Sequence, residues 1–370
     1  MIKPAALTLL SIFVLLVGCA SHEHYDYVPR GFFAAQPAGG EFPFEYTAEV
    51  PQALPIPQSR QGLEGYEVSR IGFPSSEVNG QPDNRVTARY LRSTSEPARA
   101  KPLLIVLPIW ATHTFPPTVI SNGYALHSQG QANVLWMDGD EPLFDWFKLA
   151  AVDDEAELEQ EVNATVERFR AVAVDARRLI DWAETRPEID SSRIALIGFS
   201  MGAIVAANIA GNEPRVSTTV LVMGAANPGK IMAECGMVVA YMRNRVKKKL
   251  GWSQQQFEQY FSDKLRDGNP ARWQGRYRSD STLIVEAGRD DCMPLDTRRA
   301  LRTATGEPER LVLDYNHWQS FLALTPVGAE TLSRDIYLFL DQHLLGSSGQ
   351  GSGWVHGLWE TELDSEPDSD

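Results

Sequence analysis

The sequence has few of the features that mark several large protein classes. Lys and Arg number 34 against 48 Asp and Glu, which gives a formal net charge of −14 and argues against a nucleic-acid-binding surface. No repeat of roughly 20–50 residues is visible, which excludes solenoids and propellers. There is no H-E-x-x-H, no phosphate-binding loop and, with only three cysteines, no zinc spacing. We therefore expect no metal and no cofactor.

The composition is that of a globular protein: 43% of the 370 residues are hydrophobic and 22% are charged. We predict one folded domain over residues 65–345. A tether rich in Pro, Gly, Gln and Ala precedes it over residues 19–64, partly laid on the domain surface. A Ser/Gly linker and an acidic end follow over residues 346–370, and we expect this tail to be disordered.

The N-terminus indicates export. Lys3 precedes an apolar segment, Ala5–Val17, that is too short to span a bilayer comfortably. The segment runs into Leu-Val-Gly-Cys19, which resembles the lipobox of bacterial lipoproteins. The resemblance implies a signal peptide over residues 1–18, a lipid on Cys19 and attachment to the bacterial cell envelope; Ala20 in place of aspartate favours the outer membrane, facing the periplasm. A signal peptide cut elsewhere and an uncleaved anchor are the alternatives.

The most informative stretch is Gly198-Phe-Ser200-Met-Gly202. A short apolar run, Arg193–Ile197, precedes it, and a helix of small residues, Ala203–Ala210, follows. A G-x-S-x-G sequence between a strand and a helix is the setting of a nucleophile elbow, a tight turn that presents a serine hydroxyl at the strand tip. The motif therefore predicts that Ser200 is a nucleophile; the alternative is an ordinary strand-to-helix turn.

Strand and helix patterns predict a doubly wound, mostly parallel sheet of eight strands. The first two, Tyr66–Phe73 and Arg85–Arg92, read as an antiparallel hairpin around Asn79-Gly80. A long amphipathic helix extends from about Asp154 to Arg186, and Gly328–Leu345 forms the last helix. The other strands are Leu103–Pro108, Asn133–Asp138, the run before Ser200, Thr218–Met223, Thr282–Glu286 and Arg310–Asp314.

This arrangement resembles the α/β-hydrolase fold over residues 65–345. The closest likeness is the segment that delivers the serine: Asp175–Trp182, the turn Pro187–Asp190, Arg193-Ile194, and Gly198–Gly202. It is similar to the corresponding stretch of dienelactone hydrolases and prolyl-oligopeptidase-type hydrolases. The resemblance implies a Ser, acid, His order along the chain.

Two further triad members are expected on loops after late strands. His317, in Leu311–Trp318, is the only one of seven histidines that follows such a strand, and the family carries its base there. For the acid, Asp290 and Asp291 both follow the strand that ends near Gly288. The loop is one residue shorter than the family pattern, so counting from either side gives a different aspartate. We favour Asp290, with Asp291 as the alternative or as the cap of the next helix.

The oxyanion hole of such a site needs two backbone donors. The resemblance implies the N–H of Met201, directly after the nucleophile, and one N–H from the loop after Leu103–Pro108. That loop reads Pro-Ile109-Trp110 in place of the His-Gly that relatives often carry. Trp110 is our candidate for the second donor, with Ile109 next.

Residues 227–281 are too long for a simple crossover and predict a helical cap over the site. Trp252, Phe257, Tyr260 and Phe261 share helical spacing and are expected to pack on the domain or, less often, to contact an apolar substrate. The run Lys247–Lys249 is a solvated face or a contact for anionic lipid. The spacing leaves open whether Cys235 and Cys292 form a disulfide or are free thiols.

These features together favour a serine hydrolase that cleaves a small-molecule or lipid-like carboxylic ester through an acyl-enzyme, with a membrane contact through its N-terminal lipid. A prolyl-oligopeptidase-like peptidase is an alternative, although only a short segment precedes the first strand where those enzymes carry a propeller. A non-catalytic binding lipoprotein with a hydrolase fold is the third hypothesis.

Overall fold

A computed structural model describes residues 20–23, 63–75, 85–109, 116–139, 142–324 and 332–346. Several predictions lie outside these residues: the signal peptide over 1–18, Cys19, most of the tether, the Asn79-Gly80 turn, Trp110 and the acidic tail beyond residue 346. In the described part of the chain, none of the helices is both long enough and apolar enough to cross a membrane.

The described residues form one sheet of nine strands in the order β1-β9-β8-β7-β6-β4-β5-β3-β2. Six neighbouring strands, from β9 to β5, run parallel, and β3, β2 and β1 add antiparallel edges. The eight predicted strands correspond to β2–β9, and the ninth, β1, lies within the predicted tether. The strands are β1 (Ala20–Glu23), β2 (Tyr66–Pro74), β3 (Arg85–Ser93), β4 (Lys101–Val106), β5 (Asn133–Met137), β6 (Ile189–Phe199), β7 (Val216–Val222), β8 (Thr282–Ala287) and β9 (Glu309–Leu313).

Ten α-helices occur in the described residues, and most of them cover the two faces of the sheet. They are α1 (Pro117–His127), α2 (Trp146–Ala151), α3 (Glu155–Glu184), α4 (Met201–Ala210), α5 (Pro228–Glu234), α6 (Met237–Leu250), α7 (Gln254–Lys264), α8 (Leu295–Ala304), α9 (His317–Leu322) and α10 (Leu332–Leu344). Helices α1 and α10 pack on one face, and α3, α4 and α8 pack on the other.

The two-sided burial explains the apolar runs of the sequence. On β4, Leu103 and Ile105 face the core under α3 and α4, whereas Leu104 and Val106 face the core under α1 and α10. Successive side chains of a strand point to opposite faces, so a strand covered on both sides has no solvent-exposed face and consists mainly of apolar residues. The sheet therefore holds two separate hydrophobic cores, one on each face.

The long helix α3 begins and ends close to its predicted bounds. Asp154 is its N-cap, and the carboxylate accepts a hydrogen bond from the backbone N–H of Glu157 at 2.9 Å. The helix ends at Glu184, and Thr185 closes it two residues before Pro187. Its apolar stripe packs on the sheet beside α4, which fixes the helix that follows the nucleophile.

Helices α5, α6 and α7 lie in the insertion between β7 and β8, and three short 3-10 helices follow them before β8. Phe257 and Phe261 of α7 are fully buried, and Trp252 packs against Tyr260 with ring centroids 5.0 Å apart, so these aromatic residues pack within the domain. Of the lysine run on α6, Lys247 donates to Gln254 and Lys249 pairs with Asp153.

Candidate active site

Ser200 lies in the turn between β6 and α4 and has an unusual backbone conformation. Its φ of 52° and ψ of −115° are rare for a residue with a side chain. The backbone compensates by hydrogen bonding: the N–H of Ser200 donates to the carbonyl of Val222 at 2.8 Å, and its own carbonyl accepts from Ala203 at 2.9 Å. The hydroxyl is thus held at the carboxyl end of β6, in the middle of the sheet.

The two glycines of the motif are required by close backbone contacts. A Cβ at Gly198 would lie 2.1 Å from the carbonyl oxygen of Gly202, and a Cβ at Gly202 would lie 2.2 Å from that of Pro108. Neither contact is possible for a residue with a side chain, so only glycine fits at both positions. The second contact also presses the loop after β4 against the start of α4.

His317 reaches Ser200 from the start of α9. Asn316 caps this helix, and Gln319 completes a capping box with it. The Nε2 atom of His317 lies 2.9 Å from Oγ of Ser200, and the residue is only 3% exposed. Its ring packs edge-on against Phe321, with centroids 5.5 Å apart. The imidazole is therefore fixed by the helix cap on one side and an aromatic ring on the other.

Asp290 completes the hydrogen-bonded chain. Its Oδ2 lies 2.8 Å from Nδ1 of His317, and its Oδ1 accepts the backbone N–H groups of Cys292 at 2.8 Å and Met293 at 2.7 Å. An ionised carboxylate can only accept, so Nδ1 carries a proton and donates it. In the neutral ring Nε2 is then the acceptor for the Ser200 hydroxyl, which is the tautomer that a general base needs.

Asp291 is not part of this hydrogen-bonded chain. Its side chain is exposed, and its backbone carbonyl accepts the N–H of Gly236 at 3.2 Å. The prediction that the second aspartate caps the next helix is wrong: Pro294 occupies the N-cap of α8 and no side chain caps that position. The backbone of Pro294 is extended, with ψ 146°, and the helix begins only at the next residue, Leu295, four residues after Asp291.

Arg298, which the sequence analysis did not identify, supports the loop that carries Asp290. Its Nη1 donates to the carbonyl of Ala287 at 2.8 Å and its Nε donates to that of Met293 at 3.0 Å, so it bridges both ends of the loop. Its guanidinium also lies 3.4 Å from the carboxylate of Glu286. Burial raises the pKa of Glu286, and the positive charge of Arg298 opposes this. No local motif in the sequence marks such a residue.

A cavity of about 370 Å³ opens beside Ser200 and His317. Apart from these two, its described lining consists of aliphatic, aromatic and sulfur-containing side chains from the body and from α5 and α6. These are Ile109, Pro116, Phe144, Trp146, Met201, Ile204, Ile231, Met232, Cys235, Met237, Val238, Val239, Cys292, Met293, Trp318 and Phe321. The volume is within the range of small-molecule sites.

Most of this lining was not predicted from the sequence. The clearest available signal was the pair of aromatic residues Phe144 and Trp146 shortly after β5, because Ser200 also follows the carboxyl end of a parallel strand. Among the described residues, no group of three or more His, Cys, Asp or Glu side chains is arranged to hold a metal ion.

One of the two predicted oxyanion donors lies in the described part of the chain. Met201 is the first residue of α4, where backbone N–H groups have no partner within the helix, and its side chain lines the cavity. Ile109, the second choice for the other donor, also lines the cavity, and Trp110 lies outside the described residues.

Cys235 and Cys292 form a disulfide, which answers the question that the sequence left open. Cys235 lies between α5 and α6, and Cys292 lies two residues after Asp290. The bond therefore joins the insertion between β7 and β8 to the loop that carries the acidic residue.

Comparison with known proteins gives a partial sequence match. Residues 122–235 match a family model described as phospholipase/carboxylesterase. The matched segment contains Ser200 and ends before Asp290 and His317. A search of curated proteins by sequence finds no match.

Solved structures resemble the chain more extensively. An acetyl xylan esterase from a Paenibacillus species has a TM-score of 0.59 at 16% identity, over 80% of this chain and 90% of that one. Acetyl xylan esterase 1 from a Thermoanaerobacterium species has a TM-score of 0.56 at 16% identity, over 78% and 87%. An acylaminoacyl peptidase from Pyrococcus horikoshii has a TM-score of 0.52 at 13% identity, over 76% of this chain and 42% of that one. These similarities confirm the predicted fold class.

Proposed function

We propose that this chain, a member of the α/β-hydrolase superfamily, is a serine hydrolase that cleaves carboxylic esters through an acyl-enzyme intermediate. The observation that carries the proposal is the continuous hydrogen-bonded chain from Ser200 through His317 to Asp290, with contacts of 2.9 Å and 2.8 Å. The partial match to a phospholipase/carboxylesterase model supports a hydrolase of this kind.

The first half of the reaction transfers the acyl group to the enzyme. Nε2 of His317 removes the proton from Oγ of Ser200 as the oxygen attacks the ester carbonyl carbon, and the carbonyl oxygen becomes an oxyanion. The N–H of Met201 donates to that oxyanion. When the intermediate collapses, the C–O bond to the alcohol breaks, and the imidazolium returns the proton to the leaving alkoxide.

The second half releases the acid by the same groups. Nε2 of His317 now removes a proton from water, which attacks the acyl carbon, and the proton returns to Oγ of Ser200 as the acyl bond breaks. Asp290 keeps the ring in one tautomer and stabilises the imidazolium in both halves. Because Oδ1 of Asp290 already accepts two backbone N–H groups, its Oδ2 remains directed at the ring throughout.

The lining of the cavity favours a substrate with an apolar acyl group, in a small-molecule or lipid-like ester. Apart from Ser200 and His317, its described walls consist of aliphatic, aromatic and sulfur-containing side chains. Moving a hydrocarbon chain from water into such a cavity lowers the free energy of the system. Each methylene buried there is worth about 0.8 kcal/mol, or roughly a fourfold gain in kcat/KM.

We propose further that the protein is attached to the bacterial cell envelope, facing the periplasm, through a lipid on Cys19. The lipobox-like sequence supports this, and a disulfide is stable in an oxidising compartment. Replacing Cys19 by serine should move the protein from the membrane fraction to the soluble fraction of the cells; unchanged membrane association would contradict the proposal.

The proposed chemistry is tested by Ser200→Ala. Hydrolysis of p-nitrophenyl butyrate should fall at least about 10³-fold, because the nucleophile is lost. Ser192→Ala, at an exposed position near the start of β6, is the matched control and should retain wild-type activity. A fluorophosphonate probe should label the wild type and leave S200A unlabelled. A folded wild-type protein that neither hydrolyses esters nor reacts with the probe would instead support a binding protein.

A further inference from the structure

We propose that the Cys235–Cys292 disulfide positions Asp290 within the proposed catalytic triad. The bond links the loop that carries Asp290 to the cavity wall, so that the two move together. The inference rests on the proposed function. It concerns how Asp290 is held, and neither cysteine takes part in the bond-breaking steps.

The first observation is that Cys292 itself helps to orient Asp290. Its backbone N–H donates to Oδ1 of Asp290 at 2.8 Å, and the N–H of the next residue, Met293, donates to the same oxygen at 2.7 Å. These two bonds direct Oδ2 toward His317. The disulfide is therefore attached to the short backbone segment that determines where the carboxylate points.

The second observation is that the other end of the disulfide is firmly anchored. Nη1 of Arg243, on α6, donates to the carbonyls of Cys235 at 2.9 Å and Met232 at 3.1 Å. Cys235 itself is fully buried. A movement of Cys292 would thus have to carry with it a packed junction between two helices.

A third contact reinforces the same connection. The N–H of Gly236 donates to the carbonyl of Asp291 at 3.2 Å, so the residues next to each cysteine are also linked. Both cysteines line the cavity together with Ile231 and Met293. The wall that meets the acyl chain and the loop that carries the acid are consequently joined twice, once covalently and once by a hydrogen bond.

Breaking the disulfide should therefore misplace Asp290 more than it disturbs ester binding. A displacement on the order of 1 Å at a catalytic group can cost about 10²-fold in rate, so we expect kcat to fall roughly 10- to 100-fold. KM for a short-chain ester should change little. With the carboxylate less well placed, the imidazolium loses part of its stabilisation, and the acidic limb of the pH–kcat profile should move to lower pH.

The experiment compares the oxidised wild type with the double variant C235A/C292A. Hydrolysis of p-nitrophenyl butyrate is measured between about pH 5 and 9, and the concentration of active sites is counted with the fluorophosphonate probe. Wild type treated with a phosphine reductant and then reoxidised provides an independent route if the double variant does not fold. The same reductant should leave C235A/C292A unchanged, which controls for effects elsewhere.

A lower kcat per active site together with a shifted acidic limb supports the inference. A folded, disulfide-free protein with unchanged kcat and limb overturns it. A lower melting temperature or fewer active sites, with an unmoved limb, overturns it in favour of a purely structural disulfide. If the oxidised wild type has no esterase activity, or if S200A is labelled by the probe, it is the proposed function that fails.

Discussion

Asp290 and Asp291 are neighbours in the chain, yet their carboxylates lie in different environments. The side chain of Asp290 is fully buried against His317, whereas that of Asp291 is exposed to solvent. Backbone N–H groups from the residues that follow converge on Asp290 only. An orienting role in catalysis needs a fixed and desolvated carboxylate, and one of the two aspartates has it.

We therefore expect the two aspartates to differ sharply on substitution. Asp290→Asn should lower kcat about 10⁴-fold, because an amide can donate to Nδ1 and so favour the wrong tautomer of His317. Asp291→Asn, the matched control one residue away, should stay within about twofold of the wild type. Steady-state kinetics of both folded variants decides the matter, and a larger loss in D291N would reverse the assignment.

At this scale, site residues that lie in local sequence patterns could be predicted, and those whose roles depend on contacts formed on folding could not. The strand–turn–helix spacing around Ser200 and the position of His317 after a late strand are local patterns. The choice between Asp290 and Asp291 depends on which carboxylate meets backbone N–H groups after the loop folds. The role of Arg298 depends on carbonyls eleven residues earlier and five residues earlier in the chain, which no spacing rule relates to it.

At the scale of secondary-structure elements, the insertion between β7 and β8 supplies one wall of the cavity. Ile231 and Met232 of α5 and Val238 and Val239 of α6 line the same cavity as the proposed nucleophile. Trp146 of α2 closes another side, and α2 packs on α6. If the proposed function is correct, we expect these short helices outside the sheet to contribute to selectivity for the acyl group.

A polar substitution in this wall should affect long acyl chains selectively. Val238→Asn replaces an apolar contact by a hydrated amide, so kcat/KM for p-nitrophenyl octanoate should fall about tenfold, which corresponds to about 1.4 kcal/mol. Activity on the acetate ester should change less than about threefold. Arg245→Asn, which introduces the same side chain at an exposed position of α6, should leave both activities unchanged. Equal losses on both esters in V238N would show that the wall does not contact the acyl chain.

At the scale of the whole molecule, the proposed catalytic chain and the ionic network around Glu213 lie at opposite ends of the parallel strands. Glu213 precedes β7, and its carboxylate pairs with Arg215 at 2.7 Å and Arg177 at 3.0 Å. Arg215 extends the network to Asp181 of α3. Ser200 and Asp290, in contrast, follow the carboxyl ends of their strands. Stability and catalysis should therefore respond to different substitutions.

Glu213→Gln should lower the free energy of unfolding by about 3 kcal/mol at pH 7, because it removes the charge of a buried carboxylate that pairs with two partly buried guanidinium groups. Burial raises the pKa of Glu213, but hydrogen bonds and charges from Arg215 and Arg177 more than offset this and hold it below the ordinary value of 4.5. The ionised form thus stabilises the fold fully above pH 4.5, and this contribution is lost as the pH falls through the lowered pKa.

Urea unfolding of E213Q and wild type at pH 7 and at successively lower pH checks both statements. The difference between the two proteins should shrink below pH 4.5, and kcat at pH 7 should remain that of the wild type. Glu67→Gln is the control, since its pair with Arg92 is exposed and should contribute less than about 1 kcal/mol. A pH-independent difference would mean that the charge of Glu213 is not what stabilises the network.

The fold was more predictable than the site because the hydrophobic patterns that indicate strands and helices recur along the whole chain. Strands such as β4 and β5 are buried on both faces, and after their first residues, Lys101 and Asn133, they consist of apolar residues. Strand β1 was missed because Ala20–Glu23 has no apolar pattern, and its place is determined by the backbone edge of β9. Pairing of this kind depends on the partner strand and leaves no trace in the paired residues themselves.

The pairing of Ala20 with Leu313 also bears on the order in which the molecule is completed. Nearly the whole chain separates the two strands, so β1 is synthesised early and can take its place only after β9 exists. Until then β9, the strand that leads to His317, has a bare row of backbone N–H and C=O groups on its outer side, open to pairing with other chains. Strand β1, although it is synthesised first, is thus the last strand to join the sheet, and it pairs with the edge strand that precedes His317.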